Sequence, residues 1–332
     1  MQALPLLVRG RIRRVRTLLH QDGPRRGALP DVRDLGLRRG HDRPDRGRGR
    51  RGRGIAEISP LDGSTIDDAE PLREFWGYGE ASFAELVDLC EGCARVAYVD
   101  DEAVGMTFAF PWHPVGWIGS VLTLPDHRGH GIGQAVTEAG IEALGTAGCE
   151  TVKLYATPKA QPLYERIGFT GEAAFTVARG GARRGRDPDV DPLADHLDAA
   201  QELDRGVFAA DRSAFLASKL ERFPDASVAV TTDDGELAGY GIARPGPTVT
   251  EIGPVVARGG DANVAQRLVD GLLTRVPDQD VEVTYPREGW AASSSWSCRG
   301  FVSIDEPLQM RLGPATEEHR DAIVAAGGQD VG

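Results

Sequence analysis

Leu124-Pro125-Asp126-His127-Arg128-Gly129-His130-Gly131-Ile132-Gly133-Gln134-Ala135 joins an apolar run, Trp117 to Leu124, to a segment whose apolar residues recur at positions 132, 135, 136, 139, 143 and 144. The first run reads as a strand ended by Pro125, the second as a helix that begins at Ile132. Between them stand one arginine and three alternate glycines. Glycine enters left-handed backbone freely, so successive amides can crowd around an anion at the positive start of a helix. The arrangement predicts a pyrophosphate cradle, although a turn that uses glycine with no ligand is the other reading of the loop alone. A dinucleotide fold needs Gly-x-Gly-x-x-Gly after the first strand and an acid about 20 residues on. Here the spacing is Gly-x-Gly-x-Gly after about the fourth strand, which excludes it.

Working outward, Ile55 to Ile58 alternates as a short strand, Asp67 to Trp76 and Ser82 to Cys90 read as helices, and Arg95 to Val99 and Ala103 to Phe110 read as a hairpin. After the loop come a strand, Thr151 to Ala156, a short helix, Pro162 to Ile167, and a strand or hairpin, Phe169 to Ala178. Arg179 to Pro192, rich in Gly, Arg, Asp and Pro, punctuates the chain. The order then returns: helix over Ala194 to Arg222, hairpin over Ser227 to Thr231 and Leu237 to Arg244, and strand Thr248 to Val256. A helix at Ala262 to Arg275, a strand at Val281 to Tyr285, a short helix at Trp290 to Ser297 and a strand pair over Phe301 to Leu312 complete it. Ile167-Gly168-Phe169 and Arg299-Gly300-Phe301 are matching landmarks, so the chain reads as two copies of one α/β unit.

Arg128-Gly129-His130-Gly131-Ile132-Gly133 resembles the acetyl-CoA signature of the GCN5-related N-acetyltransferase (GNAT) family, Gln/Arg-x-x-Gly-x-Gly/Ala. Pro162-Leu163-Tyr164-Glu165-Arg166-Ile167-Gly168-Phe169 resembles the family's second landmark, and the match spans roughly residues 55–180. The resemblance implies an α/β fold of two tandem GNAT-like domains, each a mixed, mostly antiparallel sheet flanked by helices. It implies that the fourth and fifth strands splay to hold acetyl-CoA as acyl donor. Main-chain groups of Leu122 and Leu124, with Thr123 between them, would meet the pantetheine arm. Arg128, Gly129, His130, Gly131, Ile132, Gly133 and Gln134 would surround the pyrophosphate. Tyr164 falls where many members place the phenol that protonates the departing thiolate, and a phenol supplies such a proton. Many members carry Asn seven residues earlier, where this chain has Thr157. The implied reaction is direct attack of a small-molecule or peptide amine on the thioester, which needs a base; His113 and Glu80 are candidates by location, but neither lies in a motif.

The second copy departs where chemistry needs the pattern. Its loop reads Val256-Ala257-Arg258-Gly259-Gly260-Asp261-Ala262-Asn263, with an acid where phosphate should approach, and Trp296 stands at the position of Tyr164. It resembles a degenerate acetyltransferase domain. The expected division is therefore a tail at 1–54, a catalytic domain at 55–180, a linker at 181–192, a degenerate copy at 193–314 and a C-terminal tail at 315–332.

Composition bounds the alternatives. The net charge of -12 hides an N-terminal stretch, residues 1–54, with 16 arginines against five aspartates and no aromatic residue, which predicts a disordered or non-native tail. An arm of this kind suits nucleic-acid phosphates, but it lacks stacking side chains, and the strongly acidic rest of the chain argues against polyanion binding by the body, which leaves the basic tail as the one candidate for it. Three lysines against 35 arginines in so acidic a chain resemble the composition of halophilic cytoplasmic proteins. No apolar run of membrane length occurs, and four cysteines, two of them in Cys90-Glu91-Gly92-Cys93, form neither a disulfide framework nor a zinc pattern. The expectation is a cytoplasmic N-acetyltransferase with no metal, its oligomeric state open; the competing reading is a noncatalytic acyl-CoA-binding protein on the same fold.

Overall fold

The computed structural model describes residues 56–181, 188–289 and 296–332. The arginine-rich stretch and most of the helix expected at 290–297 lie outside the described residues. The first copy runs β1 (Glu57–Pro60), α1 (Glu70–Trp76), α2 (Glu80–Leu89), β2 (Arg95–Val99), β3 (Glu102–Trp112), β4 (Val115–Thr123), α3 (Ile132–Thr146), β5 (Thr151–Ala156), α4 (Gln161–Ile167) and β6 (Thr170–Gly181). The second repeats this as β7 (Asp191–Pro192), α5 (Leu197–Phe208), α6 (Ser213–Arg222), β8 (Ser227–Thr231), β9 (Leu237–Pro245), β10 (Val249–Ala257), α7 (Ala262–Arg275), β11 (Asp280–Pro286), β12 (Val302–Asp305) and β13 (Leu308–Leu312), followed by β14 (Ile323–Ala325). The mixed, mostly antiparallel architecture flanked by helices is the one the sequence predicts. The single helix expected from Ala194 to Arg222 is two, because Ala209 turns left-handed (φ 52°) and the Asp211 carboxylate takes the Ser213 amide at the start of α6.

All the described strands join one sheet, in the order β1-β2-β3-β4-β5-β13-β6-β11-β10-β9-β8-β7, with β12 on β6 and β14 on β10. The two copies trade strands. β13, from the second copy, lies antiparallel between β5 and β6 of the first. The far half of β6 leaves the first copy and pairs with β11 and β12 of the second. Arg311 of β13 reaches Glu172 of β6 (3.0 Å), and the buried Lys153 ammonium of β5 sits 2.6 Å from Glu318 and 3.2 Å from Glu172.

The core is shared as well. Phe110 stacks on Trp112 of the first copy, which packs on Phe215 of the second at 5.8 Å between ring centroids. Beside them the buried Arg212 guanidinium is held by both carboxylate oxygens of Asp204 (3.0 and 2.6 Å) and lies over the Phe208 ring. A buried ion pair adds little net stability, but removing one partner costs about 3–5 kcal/mol.

A fragment of residues 55–185 lacks the strand that fills the gap between β5 and β6 and half of this core. It should show no cooperative thermal unfolding and no near-ultraviolet dichroism of packed aromatics, whereas the full chain should show both.

Candidate functional site

β4 and β5 run parallel and pair only over Val115–Thr151, Gly116–Val152 and Trp117–Lys153. Beyond Trp117 they separate, helped by a bulge in β4 where its register against β3 shifts and Ser120 takes φ 49°. The result is a V with its apex near Gly119 and its wide end at the Arg128–Gly133 loop. Along the open arm the alternation of an antiparallel ladder decides which amides face the cleft. The Leu124 N–H donates to the Val104 carbonyl on β3 (2.8 Å), and Leu122, opposite Met106, is in the same phase. Thr123 is therefore the residue whose amide turns to the cleft. Its buried hydroxyl has no hydrogen-bond partner among the described residues.

At the wide end, Gly129 (φ 79°) and Gly131 (φ 81°) hold the loop in left-handed backbone that other residues rarely adopt, and a Cβ at either would project into open space. α3 starts at Ile132 with no side-chain cap, and its first backbone acceptor in use is Gly131, which takes the Ala135 amide. The six successive amides from Gly129 to Gln134 thus find no acceptor in the described chain. A helix start normally has such donors capped, so a run of free ones fits an anion held by backbone. Arg128 is fixed beside them by a 2.9 Å bond from Nε to the Thr123 carbonyl and by the Phe75 ring, 5.6 Å away. His130 is exposed, near the His127 carbonyl; Ile132 and Gly133 are buried; Gln134 donates to Glu138 at 2.9 Å.

Tyr164 lies on α4, buried, edge-on to Phe169 at 5.8 Å, with no hydrogen-bond partner for its hydroxyl among the described residues. Burial pushes the phenol well above its ordinary pKa, so it stays protonated. Thr157 accepts the Ala160 amide through its carbonyl, just before the helix. His113 stands in the turn from β3 to β4, at the opposite end of β4 from the loop, and its carbonyl takes the Asp211 amide. Strand direction thus removes it as a base. Glu80, exposed at the start of α2, makes no hydrogen bond or ion pair among the described residues.

In the second copy the corresponding V is filled by the chain itself. β14 pairs antiparallel with β10 (Val255–Ala325, Val256–Ile323), and the Ala326 amide donates to the Thr284 carbonyl of β11 at 2.7 Å. Trp296, the counterpart of Tyr164, points its indole N–H at the Val324 carbonyl of this strand, 2.8 Å away. Asp261 caps α7, taking the Asn263 and Val264 amides at 2.8 and 3.1 Å, so two of the helix-start donors left free in the first copy are taken here by a carboxylate. A cavity of about 720 Å³ opens beside this loop, lined by Glu202, Glu236 and Asp321 as well as by Arg258, His196 and His319.

Three residues at the apex of the first cleft escaped the sequence reading. The Tyr78 hydroxyl, from the loop between α1 and α2, donates to Asp330 at 2.5 Å, and the Ser120 hydroxyl donates to the other oxygen of the same carboxylate at 2.8 Å. Only the helix-breaking Gly77-Tyr78-Gly79 hinted at this; the Ala- and Gly-rich end of the chain gave no signal. Cys90 and Cys93 are buried free thiols whose pKa values burial raises, and among the described residues no group of side chains is arranged to hold a metal. Nor, among those residues, is any helix long and apolar enough to cross a membrane.

Residues 64–169 match the model of the "Acetyltransferase (GNAT) family", and residues 200–325 that of an "Acetyltransferase (GNAT) domain". The Uncharacterized N-acetyltransferase YitH of Bacillus subtilis (strain 168) is 25% identical over 225 residues, 63% of this chain and 74% of that protein. Among solved structures, a candidate acetyltransferase from Pyrococcus horikoshii superimposes with a TM-score of 0.71 at 21% identity, over 88% of this chain and all of that one. A tandem GNAT protein from the clavulanic acid biosynthesis pathway gives 0.53 at 15% identity, over 79% and 100%. Two family matches in chain order, on a sheet with two splayed strand pairs, lead to one conclusion: the chain belongs to the GNAT acetyltransferase family, with two such domains in tandem.

Proposed function

We propose that the protein is an N-acetyltransferase that takes the acetyl group of acetyl-CoA in the cleft of the first copy and delivers it to a small-molecule or peptide amine. The observation that carries this reading is the set of six amides, Gly129 to Gln134, with no acceptor of their own beside the fixed Arg128. These donors would hold the pyrophosphate, Thr123 would meet the pantetheine arm, and the thioester would lie toward the apex of the V. Acetyl-CoA supplies the activated acyl carbon; the chain orients it and moves protons. Tyr164 is the proton donor to the leaving thiolate, and the second copy supports this role by analogy. There, the equivalent Trp296 aims its N–H at the strand lying in its own cleft. We place the protein in the cytoplasm, and assign the second copy to shaping the acceptor side rather than to a second reaction.

Acetyl-CoA at about 100 times its Kd should stabilise the full chain by ~2.7 kcal/mol and raise Tm by roughly 5 to 10 °C. Gly131→Asp should abolish the shift, because it puts a carboxylate at the anion and a side chain at φ 81°. An unchanged shift would move the donor site elsewhere.

Calorimetry in high salt should count one acetyl-CoA per chain, since β14 and Asp261 occupy the second cleft and its helix start. Two equivalent sites would refute the assignment.

Tyr164→Phe keeps the ring contact with Phe169 and removes the proton, so kcat should fall about 100-fold with acetyl-CoA affinity unchanged. Because the phenol's pKa is raised, the neutral form persists as pH climbs. The wild type should therefore show no alkaline limb attributable to Tyr164 below about pH 10.

A further inference from the structure

The segment after β13 returns across both clefts and treats them differently. In the second copy the bulge glycine Gly253 lies so close to Ala326 that a Cβ would fall 1.8 Å from its carbonyl oxygen. In the first copy the matching glycine, Gly119, stands in the same relation to Asp330, at 1.9 Å. One segment therefore touches both apices, but only at the first does it deliver a carboxylate. Two hydroxyl donors, from Tyr78 and Ser120, fix that carboxylate's orientation. Gly119 and Ser120 lie where β4 parts from β5, the opposite end of the V from the amide loop, so a donor with its pyrophosphate at Gly129–Gln134 brings its acyl end toward Asp330.

We propose that Asp330 is the general base of the transfer, the group that takes the proton from the acceptor's ammonium. The proposal rests on the acetyltransferase reading above. An ammonium acceptor gives one proton to the Asp330 carboxylate, and the freed nitrogen lone pair forms the N–C bond to the thioester carbonyl. The C–S bond then breaks, the thiolate takes a proton from Tyr164, and the amide nitrogen sheds its second proton, which returns to the tyrosinate. Asp330 gives its own proton to solvent, so the net products are the acetamide, CoA thiol and one proton. The acidic group also favours a cationic acceptor at this apex over a neutral alcohol.

The charged and titratable groups around Asp330 come from three elements besides its own: Tyr78 from the α1–α2 loop, Glu251 from β10, and Arg244 from β9. Arg244 pairs with Glu251 at 3.1 Å and also bonds the Gly327 carbonyl, holding the segment down. Burial, aided by Glu251, raises the Asp330 carboxyl above its usual range, while the hydroxyl bonds from Tyr78 and Ser120 and the charge of Arg244 oppose the rise. A base with a raised pKa loses activity as pH falls through that value, so kcat/KM should show an acid limb.

The test uses the full chain, acetyl-CoA and three probe amines, 2-phenylethylamine, spermidine and a glycyl dipeptide, read by thiol release from pH 5 to 10. The wild type should transfer to at least one amine, with an acid limb and then a plateau. Asp330→Asn should keep the acetyl-CoA thermal shift, lose about 100-fold in kcat at pH 7, and climb steadily toward the amine's own pKa as free amine becomes available. Tyr78→Phe keeps the ring packing and removes one bond that favours the ionised carboxylate, so it should move the acid limb to higher pH. An Asp330→Asn protein that binds acetyl-CoA and keeps wild-type rate and pH profile overturns the assignment and leaves the acetyltransferase reading standing. So does a limb that stays put in Tyr78→Phe. A wild type that binds acetyl-CoA but releases no thiol with any probe overturns the transferase reading, and the base with it.

Discussion

Between β5 and β6 the first copy leaves a gap one strand wide, and among the described residues only β13, from the second copy, fills it. The backbone donors and acceptors along both flanking edges must be paired when buried, so this exchange is compulsory rather than a surface association. Everything else about the molecule's layout follows from it. Because β6 crosses over to pair with β11, the two sheets become one, and the two V-shaped clefts are held at a fixed spacing. Helix α6 is thereby pressed onto Trp112 of the first copy through Phe215, and a single run of chain after β13 can reach both apices.

On this shared scaffold the copies have been given opposite electrostatics at equivalent places. Free amides at Gly129–Gln134 offer partial positive charge, whereas Asp261 takes two of the corresponding donors at the start of α7 with a carboxylate. A buried phenol occupies one pseudo-symmetric position and an indole engaged with Val324 the other. The second cleft remains splayed, yet a strand of the protein's own backbone satisfies both of its arms. One copy leaves the polar groups of its cleft open and its twin satisfies its own internally.

How far the sequence revealed this depends on how local each feature is. The strands at 95–99, 151–156 and 227–231 and the helix at 262–275 were legible to the residue, because period and turn chemistry lie within each segment. The amide loop was legible for the same reason, its glycines and Arg128 being contiguous. The strand exchange was not, since β13 carries an ordinary strand pattern that says nothing about its neighbours. Asp330 was invisible too: a lone acid in an Ala- and Gly-rich stretch acquires meaning only from Gly119, Ser120 and Tyr78, which lie far away in sequence. His113 shows the converse, a residue near the cleft in the sequence reading but placed at the other end of β4 by strand direction. Ala209, with φ 52°, breaks a helix that composition alone would have continued.

The position of β13 also bears on how the protein is made. A ribosome delivers the first copy in full by Gly181, yet that copy's sheet cannot close until residues 308–312 emerge, and its apex gains Asp330 later still. Until then β5 and β6 present bare edges of the sort that recruit foreign strands. The nascent first domain must therefore wait, partly assembled, through the synthesis of its twin. Its contacts span most of the chain, which makes closure a slow step. Folding and completion of the cleft become the same late event, so a prematurely ended chain yields neither a stable first domain nor a complete cleft.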